Sequence, residues 1–406
     1  MRVIDLSHVM AGPTCGRMLA DMGADVIKVE RIDGGDDTRR LLPPDINGEA
    51  AAFMMMNRNK RGIVLDLKDE AGRAALLKLI AGADALIENY RHDTMARLGL
   101  GAERLREDFP GLIYCAISGF GRTGPWSTQG GYDLIAQGMS GLMAITGEGP
   151  GRPPVKVGAP VCDIVAGILG AMGIAAAYAR KLKTGAGDVV DTSLLEAGIT
   201  LTYWQSAIGL ATGESPGPMG SAHPLNAPYQ AFETADGWIN IGAMNTRLWP
   251  RLCTLIGEPQ LADDERFNTN GGRMANLDAL SATLAPFIKA RTTQDWLNRL
   301  EEVGIPSGPV LSIRDMHQHP QTLARAMVEA AEHPVAGRVE TIGLPVKFAS
   351  NTARPVGPAP VFGQHTREVL LEAGLTPAEI DDLIARRAAA GARVHPPQAV
   401  SPEAKD

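Results

Sequence analysis

Asp163 stands where a glycine- and proline-rich run ends and a long apolar segment begins, GRPPVKVGAPVCDIVAGILGAMGIAAAYARKLK. A carboxylate at the head of such a segment has an ordinary use. Asp is a favoured N-cap, accepting from the orphan N–H groups of a first helical turn, and Pro160 just upstream suits a chain that has not yet entered the helix. Those same N–H groups and the positive end of the helix dipole favour the ionised carboxylate, and nearby glycines let a ligand approach the backbone closely. A pre-ionised, partly desolvated carboxylate in that position can act as a nucleophile.

The elements that must position it are legible from periodicity. Val3–Ser7 reads as a strand, Thr14–Met22 as a helix and Asp25–Glu30 as a second strand, a βαβ unit. A second cycle runs through a strand at Gly62–Leu67, a helix at Asp69–Ile80 and strands at Ala83–Asn89 and Leu112–Ser118. Beyond the Asp163 helix come a strand at Asp188–Ser193 and a helix at Leu194–Ala211. This alternation predicts an α/β fold, a doubly wound, Rossmann-like and mostly parallel sheet that binds ligands outside the carboxyl ends of its strands. Gly119, Gly121 and Gly124 spell G-x-G-x-x-G after a strand, but Pro125, Gly130 and Gly131 delay the next helix to about Asp133, so a dinucleotide site is not expected there.

At 406 residues the chain exceeds one ordinary core, and two domains are expected. Residues 1–211 read as the larger domain, 212–228 as a Gly/Pro/Ser-rich linker, and 229–320 as a smaller α+β domain opened by a hairpin around Asp236-Gly237. Residues 321–386, with short strands in 335–348 and a helix at 364–373, return to the larger domain, and 387–406 read as a disordered tail. A net charge of −7 argues against nucleic-acid or anionic-membrane partners. The nearest candidate for a spanning helix, Ile164–Tyr178, falls short of the roughly 18–20 apolar residues required. Cys15, Cys115, Cys162 and Cys253 are scattered, which fits a reducing cytoplasm and predicts no metal site. His317 and His319 lack further ligands nearby.

Six stretches, in order along almost the whole chain, resemble the family III CoA-transferases, the group that includes formyl-CoA, carnitine, oxalate and dicarboxylate transferases. They are GPTCGRMLADMGADVIKVE, NKRGIVLDLK, ENYRHDTMARLGL, SGFGRTGP, GYDLIAQGMSGLMAITG and VGAPVCDIVAG. The resemblance implies that Asp163 is a catalytic nucleophile forming an aspartyl-CoA thioester, with coenzyme A as substrate and no permanently bound cofactor. It further implies CoA contacts at Val9, Met10, Arg31, Leu65 through Lys68, Asn89, Tyr90, Arg91 and Arg97. Asp133 matches a supporting carboxylate of some members, or it caps the following helix. Members form interlocked dimers, and a homodimer is expected.

Two departures narrow the activity. Related α-methylacyl-CoA racemases carry His where this chain has Tyr132, and a phenol is a poor substitute for a proton-shuttling imidazole. The run of glycines of formyl-CoA transferase is replaced by GSAHPLNAPYQ, leaving His223 and Asn226 as candidate contacts to the acid substrate. The expected reaction moves CoA from an acyl-CoA, with succinyl-CoA preferred, to a small dicarboxylic acid. A racemase-like isomerase and a non-catalytic CoA-binding protein are the alternatives.

Overall fold

The computed structural model describes residues 1–350 and 355–393, which group into two compact units. The first comprises residues 1–141, 157–201 and the described residues from Pro320 onward; the second comprises 142–156 and 202–319.

The first unit opens with β1 (Arg2–Asp5), α1 (Ala11–Asp21) and β2 (Asp25–Glu30). It continues with β3 (Arg61–Leu65), α2 (Glu70–Ala81), β4 (Ala85–Glu88) and β5 (Ile113–Ser118). After a long loop come α3 (Asp133–Met139), α4 (Val161–Thr184), β6 (Val189–Ser193) and α5 (Leu194–Thr200). Asp69 caps α2 and Ser193 caps α5, each accepting from N–H groups of the first turn.

The second unit begins with α6 (Tyr203–Thr212), so the apolar segment expected as one helix to Ala211 breaks after Thr200 and its latter half joins the smaller unit. Apolar residues run across the break, and periodicity alone could not mark it. Strands β7 (Tyr229–Glu233) and β8 (Trp238–Gly242) form the hairpin expected around Asp236-Gly237. Helices α7 (Leu248–Leu255), α8 (Leu277–Lys289) and α9 (Thr293–Glu302) precede β9 (Ser307–Pro309), which extends the antiparallel sheet in the order β9-β8-β7. Trp249, Phe267, Trp296, Ile239 and Leu284 are buried in one core.

The returning segment adds a hairpin of β10 (Val328–His333) and β11 (Gly337–Ile342), then α10 (Thr366–Glu372), α11 (Pro377–Ala385) and β12 (Ala389–Ala390). Strand β12 pairs antiparallel with β3, and Ala388, Ala389 and Ala390 are buried, which corrects the tail expected from residue 387. Small alanines suit a crowded sheet edge, and their low hydrophobicity hid the strand. Residues 394–406 of that expectation lie outside the described residues.

The large sheet has the order β12-β3-β2-β1-β4-β5-β6, parallel except for β12. Ile4, Ile27, Ile63, Leu86 and Tyr114 face one core with α2, α10 and α11, while α1 and α4 cover the other face. Strand order reverses at β1, so the loops leaving β1 and β4 diverge and leave a crevice at their carboxyl ends.

Helix α4 is 24 residues long, ending at Gly185 in the left-handed region. It exceeds the stretch expected to stop at Tyr178, and by length and composition alone it could cross a membrane. Here it packs on α1, α5, β5 and β6. A Cβ on Gly167 would lie 2.5 Å from the Ala11 carbonyl oxygen, one on Gly170 3.0 Å from Ile117 Cδ1, and one on Gly173 2.6 Å from Val190 Cγ1. Glycine at these positions lets the helix sit directly on its neighbours. Gly167→Ala meets backbone, which cannot swing aside, so it is expected to cost about 3 kcal/mol in urea unfolding. Gly173→Ala meets a side chain and should cost clearly less.

Candidate active site

The loop after β1 is fixed by charges that the sequence scatters and the sheet gathers. Asp5 Oδ1 accepts from the Ser7 backbone N–H at 3.0 Å and its hydroxyl at 2.5 Å, while Asp5 Oδ2 pairs with Lys60 Nζ at 2.8 Å. Lys60 also donates to the Pro13 carbonyl and Asn57 Oδ1, both at 2.9 Å. Lys28 Nζ pairs with Asp36 Oδ2 at 2.8 Å and donates to the Ser7 carbonyl. Burial alone would raise the Asp5 carboxyl, but the Lys60 and Lys28 ammoniums outweigh it and hold the group low. Asn89, at the end of β4, brackets His8 by accepting from its N–H and donating to its carbonyl, each at 2.8 Å. His8 Nε2 meets Tyr90 Oη at 2.9 Å, and burial followed by the Lys28 charge lowers His8 to about 4. Between these anchors Val9 has φ +66°, a strained conformation for a β-branched residue.

The amino end of α4 departs from the expected cap. Pro160 occupies the N-cap position and Asp163 lies in the first turn. Asp133, reaching over from α3, accepts from the Cys162 N–H at 2.8 Å and the Asp163 N–H at 3.2 Å. Asp133 Oδ2 accepts in turn from Gln137 Nε2 at 2.6 Å. The orphan donors that would have favoured an ionised Asp163 are therefore spent on Asp133. The Asp163 carboxyl has no hydrogen-bond partner among the described residues. Burial first, and the Asp133 charge second, push it up to about 7, which corrects the expectation of a pre-ionised group. Cys162 is fully buried and pushed up to about 12, mainly by burial, as befits a packed thiol.

Asp163 opens onto a cavity of about 210 Å³ at the strand crevice. Of the residues predicted from sequence, Val9, Met10, Asn89, Tyr90, Arg91 and Tyr132 line it as well. The Arg91 guanidinium lies over Gly130, where a Cβ would be 2.6 Å from Cζ. Tyr90 also lines a second cavity, of about 550 Å³, together with Arg31, Leu65, Lys68 and Arg97. The Leu65 side chain is 1% exposed and belongs to the core. Arg31 is paired with Asp37 at 2.6 Å and Arg97 with Asp93 at 3.4 Å.

His223 and Asn226 lie in the second unit. His223 stacks on Tyr229 with ring centroids 5.2 Å apart, and its Nδ1 accepts from the Leu225 N–H at 3.1 Å. Asn226 Nδ2 is 3.5 Å from that Nδ1.

Sequence reasoning missed His8, Gln137 and Arg122. Arg122 lines the Asp163 cavity, held by Glu88 Oε1 at 2.5 Å and the Tyr90 carbonyl at 3.3 Å, while burial raises Glu88 despite that partner. Gln137 carried a usable signal, since Asp133 and Gln137 are four apart on one helix. No cluster of three or more His, Cys, Asp or Glu able to hold a metal occurs among the described residues.

A folded-state value of about 7 against an ordinary 3.8 has a thermodynamic consequence. Between those values the native protein keeps a proton that the unfolded chain has lost, so this site lowers stability as pH rises from about 4 to about 7. Asp163→Asn removes the effect. Its stability relative to wild type should climb across that window and level off above it, by on the order of 2 kcal/mol after solvent screening. Denaturant unfolding at several pH values checks this.

The family model for CoA-transferase family III matches residues 1–366. The succinate–glutarate CoA-transferase of Agrobacterium fabrum is 41% identical over 92% of this chain and 94% of its own length. The succinyl-CoA:mesaconate CoA-transferase of Haloarcula hispanica is 40% identical over 92% and 96%. Among solved structures, a CAIB/BAIF family protein from Brucella suis has a TM-score of 0.82 at 38% identity, covering 92% of this chain and 98% of that one. With its parallel sheet, its strand-end crevice and these relatives, the chain belongs to CoA-transferase family III.

Proposed function

We propose that this enzyme transfers CoA from succinyl-CoA to a small dicarboxylic acid by covalent catalysis at Asp163. The supporting observation is the Asp163 carboxyl itself: unbonded, raised to about 7, and facing the cavity at the strand crevice. A raised carboxyl is a more basic nucleophile than a free aspartate, and at neutral pH a large fraction is still ionised. The named substrates of the relatives, with succinyl-CoA or succinate exchanged against glutarate or mesaconate, support the donor and the acceptor class.

Asp163 attacks the thioester carbonyl, CoA leaves as thiolate, and a mixed anhydride joins the aspartyl and succinyl groups. The thiolate then attacks the aspartyl carbonyl, releasing succinate and leaving an aspartyl-CoA thioester. The acceptor carboxylate attacks that thioester, forming a second anhydride and freeing the thiolate again. Attack of the thiolate on the acceptor carbonyl yields the new acyl-CoA and restores Asp163. Each step exchanges one activated acyl bond for another.

The two cavities sharing Tyr90 suit an extended substrate, with the thioester beside Asp163 and the nucleotide end near Arg31, Lys68 and Arg97. Lys68 forms no ion pair among the described residues, and neither does Arg91, which leaves both cations free to meet phosphate or carboxylate. His223, with Nδ1 already accepting, offers Nε2–H as a donor to the acid. An isomerase reading would ask an exposed phenol, Tyr132, to shuttle protons.

The homodimer belongs to the same proposal. Ile168, Met172 and Leu182 of α4 are 41%, 61% and 70% exposed, and α6 buries none of its residues. Apolar surface of this kind calls for a partner, and a second copy of the chain would supply one. All four cysteines are free thiols, which supports a reducing cytoplasmic setting.

Succinyl-CoA without acceptor should add a hydroxylamine-labile mass to the wild-type protein and none to Asp163→Ala. Absence of any adduct in wild type, despite CoA binding, would overturn the covalent route. Light scattering should give twice the chain mass, and a monomer would remove the dimer.

A further inference from the structure

Asp133 and Asp163 are neighbouring carboxyls with opposite surroundings. Asp133 accepts three hydrogen bonds, from two backbone N–H groups and from Gln137, whereas Asp163 accepts none among the described residues. Gln137 is completely buried, and both ends of its amide are committed. Oε1 accepts from the Val157 N–H at 2.9 Å, and Nε2 donates to Asp133 Oδ2 at 2.6 Å and to the Ala159 carbonyl at 3.3 Å. One side chain therefore ties α3 to the 157–159 segment that leads into α4, while holding the carboxylate that caps α4.

The orientation of that amide is dictated by its partners. Val157 N–H can only donate and the Ala159 carbonyl can only accept, so the NH₂ end must face Asp133. Both Asp133 oxygens are thereby engaged, Oδ1 by the two backbone N–H groups and Oδ2 by Gln137, and none of these donors reaches the Asp163 carboxyl.

We infer that Gln137 is a positioning residue for the nucleophile: by holding Asp133 against the first turn of α4, it sets the placement of Asp163 and keeps those N–H groups from its carboxyl. This rests on Asp163 being the nucleophile. The other charged or titratable residues lining the cavity with Asp163 are His8, Tyr90, Arg91, His92, Arg122 and Tyr132. His8, bonded to Tyr90, is lowered to about 4, so it stays neutral through the window in which Asp163 titrates.

Glutamate at this position gives a test with a distinctive sign. A protonated Gln137→Glu side chain can reproduce both contacts, its carbonyl accepting from Val157 N–H and its hydroxyl donating to Asp133. Once ionised it has no donor and opposes Asp133 with a like charge. The rate of adduct formation from succinyl-CoA should rise with pH through about 7 in wild type, following ionisation of Asp163. In Gln137→Glu it should instead fall on the alkaline side, giving a bell, while CoA affinity changes less than about threefold and circular dichroism shows the fold retained. Gln137→Leu, lacking donor and acceptor, should slow adduct formation at least about tenfold at every pH.

A purely structural role would lower stability in both variants and leave the shape of the pH profile unchanged, which would overturn the inference. So would Gln137→Leu with the wild-type rate. If Gln137→Leu does not fold, the alkaline limb of Gln137→Glu decides alone. Absence of an adduct in wild type would defeat the nucleophile reading itself, a result separate from an adduct that forms in wild type and is indifferent to residue 137.

Discussion

Close packing of α4 on α1 and on strands β5 and β6 is the constraint from which the site follows. Gly167, Gly170 and Gly173 present no side chains at the contact, so helix and neighbours meet at backbone distance. A helix seated this closely has little freedom to slide or tilt, because added volume has no cavity to enter. Its first turn, with Asp163, is thereby delivered to the carboxyl ends of the strands. The same sequence feature explains the low side-chain volume of the segment, which reads as merely apolar when considered alone.

Delivery of the helix end creates an electrostatic choice. A first turn exposes N–H groups that stabilise a nearby negative charge, and they can serve only a limited number of acceptors. Here they serve Asp133. Asp163 keeps a position beside the cavity without their help, and burial together with the Asp133 charge makes its ionised form costly. In the proposed covalent route, a carboxylate held in that way would bring to bond formation a free energy that a solvated or capped aspartate lacks. On that reading stability and reactivity are opposed at this residue, and Asp133, held by Gln137, occupies the N–H groups that would otherwise relieve the cost.

The opposite wall of the crevice is built from buried ion pairs. Asp5 with Lys60 and Lys28 with Asp36 come from four separate segments, and each carboxylate also fixes backbone or hydroxyl groups of a loop. Isolated buried charges would be prohibitive, but satisfied ones specify a unique loop geometry. Val9 illustrates what that geometry can hold: a left-handed backbone conformation at a β-branched residue lining the cavity, with His8 braced by Asn89 and Tyr90 on one side of it.

By itself the sequence determined the alternation of strands and helices, the apolar helix headed by Asp163, the Asp236-Gly237 hairpin and the motifs that carry the family. These are local properties, governed by periodicity, turn residues and short spacings, and so they survive in one dimension. The caps of α2 and α5 are equally local, since each acceptor lies within three residues of its donor. Only the tertiary structure decided that Asp133 rather than Asp163 takes the helix end, because the two lie 30 residues apart and compete for the same N–H groups. It likewise decided that the alanines at 388–390 close a sheet edge, that α6 leaves the first unit, and that Lys60 and Lys28 are buried partners rather than solvated cations. In each case the deciding quantity was which groups share a small, water-poor volume, and that depends on contacts between segments far apart in the chain.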